Sequence, residues 1–291
     1  MRGPHNIWRL IRTGATLERT GAMGVVLDAF DAPAHLRLTA RILGWPFKWL
    51  GLKGDLNMPP APRALTALGP AYIKFGQVLS TRPDVVGDEL ASQLTVLQDK
   101  LPPFSTEIAK QNIAHELGVD ADVIFSAFSP AVAAASIAQV HRATLRQNGE
   151  EVAVKVLRPD IERAFRTDLD AFFLAARIIE VLSPASRRLR PLDVISHFES
   201  VVLGELDLRL ESSAASEFAA NTAQDEGFTL PVIKWPHSSR RVMTMSWAEG
   251  VPMGDNAAID AAGAASECRR AAHLPIRERH VCTRWQRQIG R

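Results

Sequence analysis

The chain of 291 residues predicts an α+β fold in which a helical stretch comes first and a small antiparallel sheet follows. Three observations carry that expectation. Over roughly the first 120 residues, apolar positions recur at helical spacing, and prolines and glycines punctuate the segments. From about residue 123 the pattern turns to β-branched alternation, as in "SIAQVHRATLRQNGEEVAVKVLRP". More helical text and then short strand-like segments follow, so the sheet is small and its strands are separated by helices.

Composition bounds the function classes. With 46% hydrophobic and 23% charged residues the chain can bury a sizeable core, and a formal charge of +2 gives no general argument for nucleic acid. Cys268 and Cys282 suit neither a disulfide framework nor a zinc site, and a reducing cytoplasm fits them. The opening "MRGPHNIWRLIRTGATLERTG" lacks the unbroken apolar core of a secretory signal, and no run reaches the ~18 apolar residues that cross a bilayer. It reads as a basic amphipathic helix, with Ile7, Trp8, Leu10, Ile11 and Leu17 beside Arg9, Arg12 and Arg19. Such a helix either touches a membrane surface or packs on its own domain.

In order along the chain, residues 1–55 read as two or three helices, and "LGLKGDLNMPPAPRALTALGP" as a loop-rich connection. The spacing predicts a helix over 70–81 with Pro70 in its first turn. Tyr72, Phe75 and Leu79 form its apolar stripe, Lys74, Gln77 and Thr81 line the opposite side, and Ile73 and Val78 flank that polar strip. So narrow a polar strip implies that Lys74 and Gln77 reach for partners. Pro83 stops this helix. Of the two helical segments that follow, the second has Ser105 or Thr106 as N-cap and Gly118 as C-cap. The alternating stretch around Asn148-Gly149 predicts a hairpin with a two-residue turn. Helices are expected over 160–183 and 191–222, then strands in "FTLPVIKW" and "SRRVMTMSWAEGVPMGD". The arginine-rich text beyond about residue 265 carries no expectation of regular structure. The organisation expected is a helical extension over 1–120, a sheet-containing lobe over 121–255 and an irregular tail over 256–291.

Three groups could carry chemistry. In "EVAVKVL", Val152, Val154 and Val156 point to one side of a strand and Ala153 and Lys155 to the other. Lys155 there either holds an anion or reaches solvent from a sheet edge. On the 191–222 helix, Val194, Phe198, Val201 and Leu208 share a stripe that contains Glu205, while Asp207 and Glu211 share another face. A carboxylate on an apolar stripe needs a cation, and Lys155 and Lys74 are on offer; the alternative is a row of surface helix charges, such as Glu205–Arg209. Ahead of Lys155 lies an alanine-rich loop, Ala133, Ala134, Ala135 and Ser136, at the distance where a kinase lobe carries a glycine-rich phosphate loop. Its Cβ atoms hold phosphate further off than glycine would, and it can equally be a tight connection.

Taken together, "KFGQ", "AAAS", "VAVK" and "ELD", in that order, with "STRPD" after the first and "LRLE" after the last, resemble the UbiB/ABC1/ADCK/Coq8 family of atypical protein-kinase-like proteins from about residue 5 to 262. The resemblance implies a K-x-G-Q helical extension packed on a protein-kinase-like N-lobe. It implies that Ala133, Ala134, Ala135, Ser136, Ala153 and Lys155 bind nucleotide, with Glu211 pairing Lys155 from the helix equivalent to αC. It also implies that the E-x-D carboxylates Glu205 and Asp207 face Lys74 and Gln77. Family members bind ATP with magnesium, are membrane-associated, support ubiquinone biosynthesis and are linked to polyprenylphenol hydroxylation. The pattern departs downstream, where only Asp255 and Asp260 are offered and no H-x-D or D-F-G motif occurs. The expectation is therefore a truncated or frame-shifted member without a C-lobe, with no catalytic residues or metal site of its own, weak nucleotide binding and no ATP turnover. It would be cytoplasmic or peripheral at the inner membrane. The alternative reading is a non-enzymatic module that docks on a membrane or a quinone-biosynthesis complex.

Overall fold

The computed structural model describes residues 4–29, 34–98, 102–182, 187–188, 190–225 and 229–250. It divides into two compact units, Met1–Leu101 with Leu157–Glu211, and Pro102–Val156 with Ser212–Arg291.

The first unit is helical. It opens with α1 (Pro4–Thr20), α2 (Ala22–Ala29) and α3 (Ala34–Gly44), followed by a 3-10 turn over Trp45–Leu50. Then come α4 (Pro60–Leu68), α5 (Pro70–Ser80), α6 (Pro83–Val86), α7 (Asp88–Leu94) and a 3-10 turn over Thr95–Gln98. Proline opens α4, α5 and α6, where its missing N–H costs nothing and its fixed φ already suits a helix. Ala61, Ile73, Val86, Leu90, Leu94 and Leu97 close a core among α4 to α7.

In the second unit α8 (Thr106–Leu117) is capped as expected: Ser105 accepts from the Ile108 N–H, and Gly118 takes the left-handed conformation. α9 (Ala121–Ile124) leads into a four-stranded sheet of order β1-β2-β3-β4, formed by β1 (Phe125–Ala134), β2 (Ala138–Leu145), β3 (Glu151–Leu157) and β4 (Val242–Ser246). Before β4, the chain forms α10 (Ile161–Leu182) and α11 (Pro191–Glu205), which belong to the first unit, and α12 (Leu208–Asn221), within which the division at Glu211 falls. Phe125, Leu145, Val152, Val154, Val156 and Val242 pack with Ile113 of α8 into the core of this unit. Just before α8, the Phe104 peptide is pinned on both sides by one side chain. Its N–H donates to Gln139 Oε1 at 2.9 Å, and its carbonyl accepts from Gln139 Nε2 at 3.2 Å.

Several expectations are corrected. β1 was not anticipated, and its end takes in Ala133 and Ala134 of the stretch read as a loop, because its alanines, serines and Pro130 hide the alternation. Pro130 is accommodated on an edge strand, within a register irregularity between Phe128 and Ala131. The hairpin between β2 and β3 turns through four residues, Arg146 to Gly149, and not two: Leu145 N–H donates to the Glu150 carbonyl, and Gly149 N–H to the Leu145 carbonyl. Gly149 sits at φ 72°, so the glycine is required although the turn type differs. The 191–222 helix is two helices, broken at Leu206 and Asp207. The buried stripe of α11 is Ile195, Phe198 and Val202, continued by Leu206, whereas Val194 and Val201 are exposed. Of "FTLPVIKW", the described residues from 229 make a single bridge, Ile233 to Met245, because Pro231 interrupts the ladder. The tail expected over 256–291, with Asp255 and Asp260, lies outside the described residues.

Candidate functional site

In the helical unit, aromatic packing sets where Lys74 points. Phe75 of α5 lies between Phe172 of α10 and Phe198 of α11, with ring centroids 5.3 Å and 5.1 Å away. Tyr72 stands edge-on to Phe172 at 4.6 Å. Glu205 follows Phe198 by two helical turns, on the same side of α11. Lys74 adjoins Phe75, and its Nζ lies 2.6 Å from Glu205 Oε2, an oxygen shielded from solvent. A carboxylate so sheltered keeps its charge cheaply only beside a cation, which is what the sequence pattern required of Glu205.

Gln77 and Asp207 behave differently from that pair. Gln77 Nε2 donates to the Leu97 carbonyl at 2.7 Å, serving the end of a 3-10 turn whose carbonyls have no helical partner. Asp207 caps α12: its Oδ1 accepts from the Arg209 N–H at 3.1 Å, and its Oδ2 lies 2.6 Å from Arg209 Nη2. The Arg209 guanidinium thus engages Asp207, where the sequence offered it to Glu205. Gly76 of the same motif is a packing residue. A Cβ there would lie 2.6 Å from Leu65 Cδ1 and closer still to Leu97 Cδ1. Glu211 stands in the first turn of α12.

One group in this unit escaped the sequence reading. Asp168 of α10 is buried and ion-paired with Arg9 of α1, and beside it Tyr72 and Thr13 share a 2.7 Å hydroxyl contact. Burial raises the Asp168 carboxyl to about 6, with Arg9 opposing, and burial pushes the Tyr72 phenol up to about 12. Only the apolar run after it, "DAFFLAA", hinted that Asp168 faces inward.

In the sheet unit, Lys155 occupies the middle of β3 with its backbone paired to Met243, and Ala153 pairs with Met245. The valines on either side of Lys155 enter the core, so Lys155 and Ala153 lie on the opposite face. Register adds companions there: Met243 and Met245 from β4, and Ala133 with its partner Val140 from β1 and β2. The result is a face of alanine, valine and methionine around Lys155, with Met243 and Met245 themselves buried and the Arg142–Glu151 ion pair on the same face. Period-2 alternation could have found Val140, Met243 and Met245. Ala133 and Ala134 end β1, Ala135 closes the following turn by donating to the Ala138 carbonyl at 2.8 Å, and Ser136 is buried within it. Among the described residues no group of three His, Cys, Asp or Glu could hold a metal ion, and no helix is long and apolar enough to cross a membrane.

The chain is similar to known proteins. The chain is 38% identical to a probable protein kinase UbiB of Pseudomonas paraeruginosa, over 85% of its own length and 46% of the relative's. It is 40% identical to a probable protein kinase UbiB of Shewanella loihica, over 77% and 41%. It therefore spans a little under half the length of these curated relatives. A solved complex of Rv3197 with erythromycin from Mycobacterium tuberculosis is 28% identical, with a TM-score of 0.45, covering 76% of this chain and 53% of that one. Residues 96–273 match the ABC1 atypical kinase-like domain, and the chain belongs to that family.

Proposed function

We propose that this chain supplies the nucleotide-binding part of a UbiB-type kinase-like protein that supports ubiquinone biosynthesis, in the pathway of polyprenylphenol hydroxylation. The observation that carries the reading is Lys155 on the apolar β3 face with Ala153, away from the valine core. The names of the similar relatives support its kinase-like character. In this reading Ala153 and Val140 receive the base, while Lys155 and the turn at Ala133 to Ser136 hold the phosphates. Glu211 is needed for the same binding. Bound ATP would bring the transferable phosphoryl group. Among the described residues no group of three His, Cys, Asp or Glu could hold a metal ion, and no step is assigned to magnesium.

The test is thermal unfolding with excess Mg-ATP. Binding raises the melting temperature by mass action, and Lys155→Met and Glu211→Gln each remove the rise. An unchanged melting temperature in the parent chain overturns the proposal. Phosphate release at background level is expected from these 291 residues, which contain neither H-x-D nor D-F-G.

A further inference from the structure

A cleft of about 400 Å³ opens in the sheet unit, on the side of the sheet turned away from Lys155. Its floor holds Leu117 at the end of α8 and Ile124 at the end of α9, both packed against the valine core. Val119, Val123 and Pro236 add apolar walls, Pro236 from a 3-10 turn over Trp235–His237. The polar lining is Arg146 and Gln147 of the β2–β3 turn, with His237. Backbone contacts hold these walls in place. Arg146 N–H donates to the Ile124 carbonyl at 2.9 Å, His237 N–H donates to the Lys234 carbonyl at 2.9 Å, and the His237 carbonyl accepts from Thr244 Oγ1 at 2.6 Å. The cleft is therefore formed before anything enters it, although Val119 and Val123 stand 44% and 61% exposed within it.

Charge says what the cleft takes. The Arg146 guanidinium donates only to neutral acceptors: Nε and Nη2 to the Asp122 carbonyl at 3.2 Å and 2.9 Å, and Nη2 to the Phe125 carbonyl at 3.3 Å. Among the described residues neither Arg146 Nη1 nor the His237 ring has a hydrogen-bond partner. The carboxylates of the flanking segments are committed elsewhere. Asp122 pairs with Lys110 at 2.6 Å, Glu150 with Lys234 at 2.6 Å, and Asp120 caps α9 by accepting from the Asp122 N–H. One cation is thus left without a carboxylate, at the rim of an apolar cleft, beside an imidazole whose pKa burial lowers and so keeps neutral. A single positive charge, a neutral ring donor and hydrocarbon walls suit a monoanion with an apolar body. A phosphate dianion would leave one charge unmatched.

We propose that this cleft binds a small hydrophobic carboxylate, its hydrocarbon part lying on Leu117, Val119, Val123 and Ile124 and its carboxylate meeting Arg146 Nη1 and the His237 ring. The site lies on the opposite side of the sheet from Lys155 and does not depend on the nucleotide reading. The full chain, without nucleotide, is titrated by calorimetry with sodium octanoate below its micellar concentration, and separately with sodium acetate and with octanol. Saturable octanoate binding is expected, at least about tenfold tighter than either control, because acetate lacks the apolar body and octanol the charge. Val123→Asp sets a negative charge on the exposed wall and lowers octanoate affinity at least about tenfold, with the melting temperature unmoved. Arg146→Gln, which keeps an amide donor for the Asp122 carbonyl, brings octanoate down to the affinity of octanol and leaves octanol unchanged. No saturable octanoate binding by the parent, octanol or acetate binding as tightly as octanoate, or full octanoate affinity in either variant each overturns the proposal. None of these outcomes bears on the nucleotide test.

Discussion

Lys74 and Glu205 show how much a single charged residue can reveal when it interrupts an apolar pattern. Each was conspicuous in the sequence because its neighbours on the helix are hydrophobic, and each finds the other at 2.6 Å. A double-mutant cycle on Lys74→Ala and Glu205→Ala should return a coupling of about 1 kcal/mol by chemical denaturation, as for a partly buried ion pair. Additivity of the two single changes would mean that the pair is no more than a surface contact. Asp207 should not enter that coupling, since Arg209 and the α12 N-terminus already engage it. What the sequence could not disclose at this scale was the role of residues whose partners are the ends of helical elements. Gln77 serves the carbonyl of Leu97, and Asp207 serves the first turn of a helix whose start depends on the break at Leu206. Gly76 was likewise opaque, because its reason is the proximity of Leu65 and Leu97.

Among the elements, those legible in the sequence were bounded by strong local signals. The α8 caps and the proline-opened helices are local signals of this kind, each complete within a few residues. β1 was missed because its stabilisation is non-local: it is held by pairing with β2 through three irregularities, which break the alternation that would have announced it. The β2–β3 hairpin was anticipated but not its turn, as Asn148-Gly149 can end a four-residue loop as well as fill a two-residue one. In the observed loop only Gly149 has positive φ, so Gly149→Ala should cost about 1 kcal/mol in denaturant unfolding, and Asn148→Ala distinctly less. Equal costs would restore the two-residue turn.

For the whole molecule, fold class followed from the order of periodicities, whereas the buried ionisable groups did not, because their partners are remote in sequence. Asp168 meets Arg9 159 residues away. Its folded carboxyl titrates near 6, above its ordinary 3.8, so the folded state holds the proton more tightly. That contribution to stability is full below the lower value and is lost as pH rises through about 6. Asp168→Asn should therefore gain in melting temperature relative to the parent between pH 4 and pH 7, by calorimetry; a constant difference would contradict the burial argument. His141 in the sheet unit has the opposite sign. Burial lowers its pKa below 6.5, so its contribution is present above that value and fades as pH falls through it. Its neighbours explain why a second proton is unwelcome: Nδ1 donates to the Ser129 carbonyl, leaving Nε2 to accept from Gln139 Nε2 at 2.8 Å. The orientation of that amide is the one that grips the Phe104 peptide. Phe104 precedes α8 outside any helix or strand, where an amide hydrogen would ordinarily trade with deuterated water within seconds. Here it should persist among the slow exchangers, and its protection factor should collapse as His141 takes up a proton, making one isotope label a reporter of acidification inside the lobe.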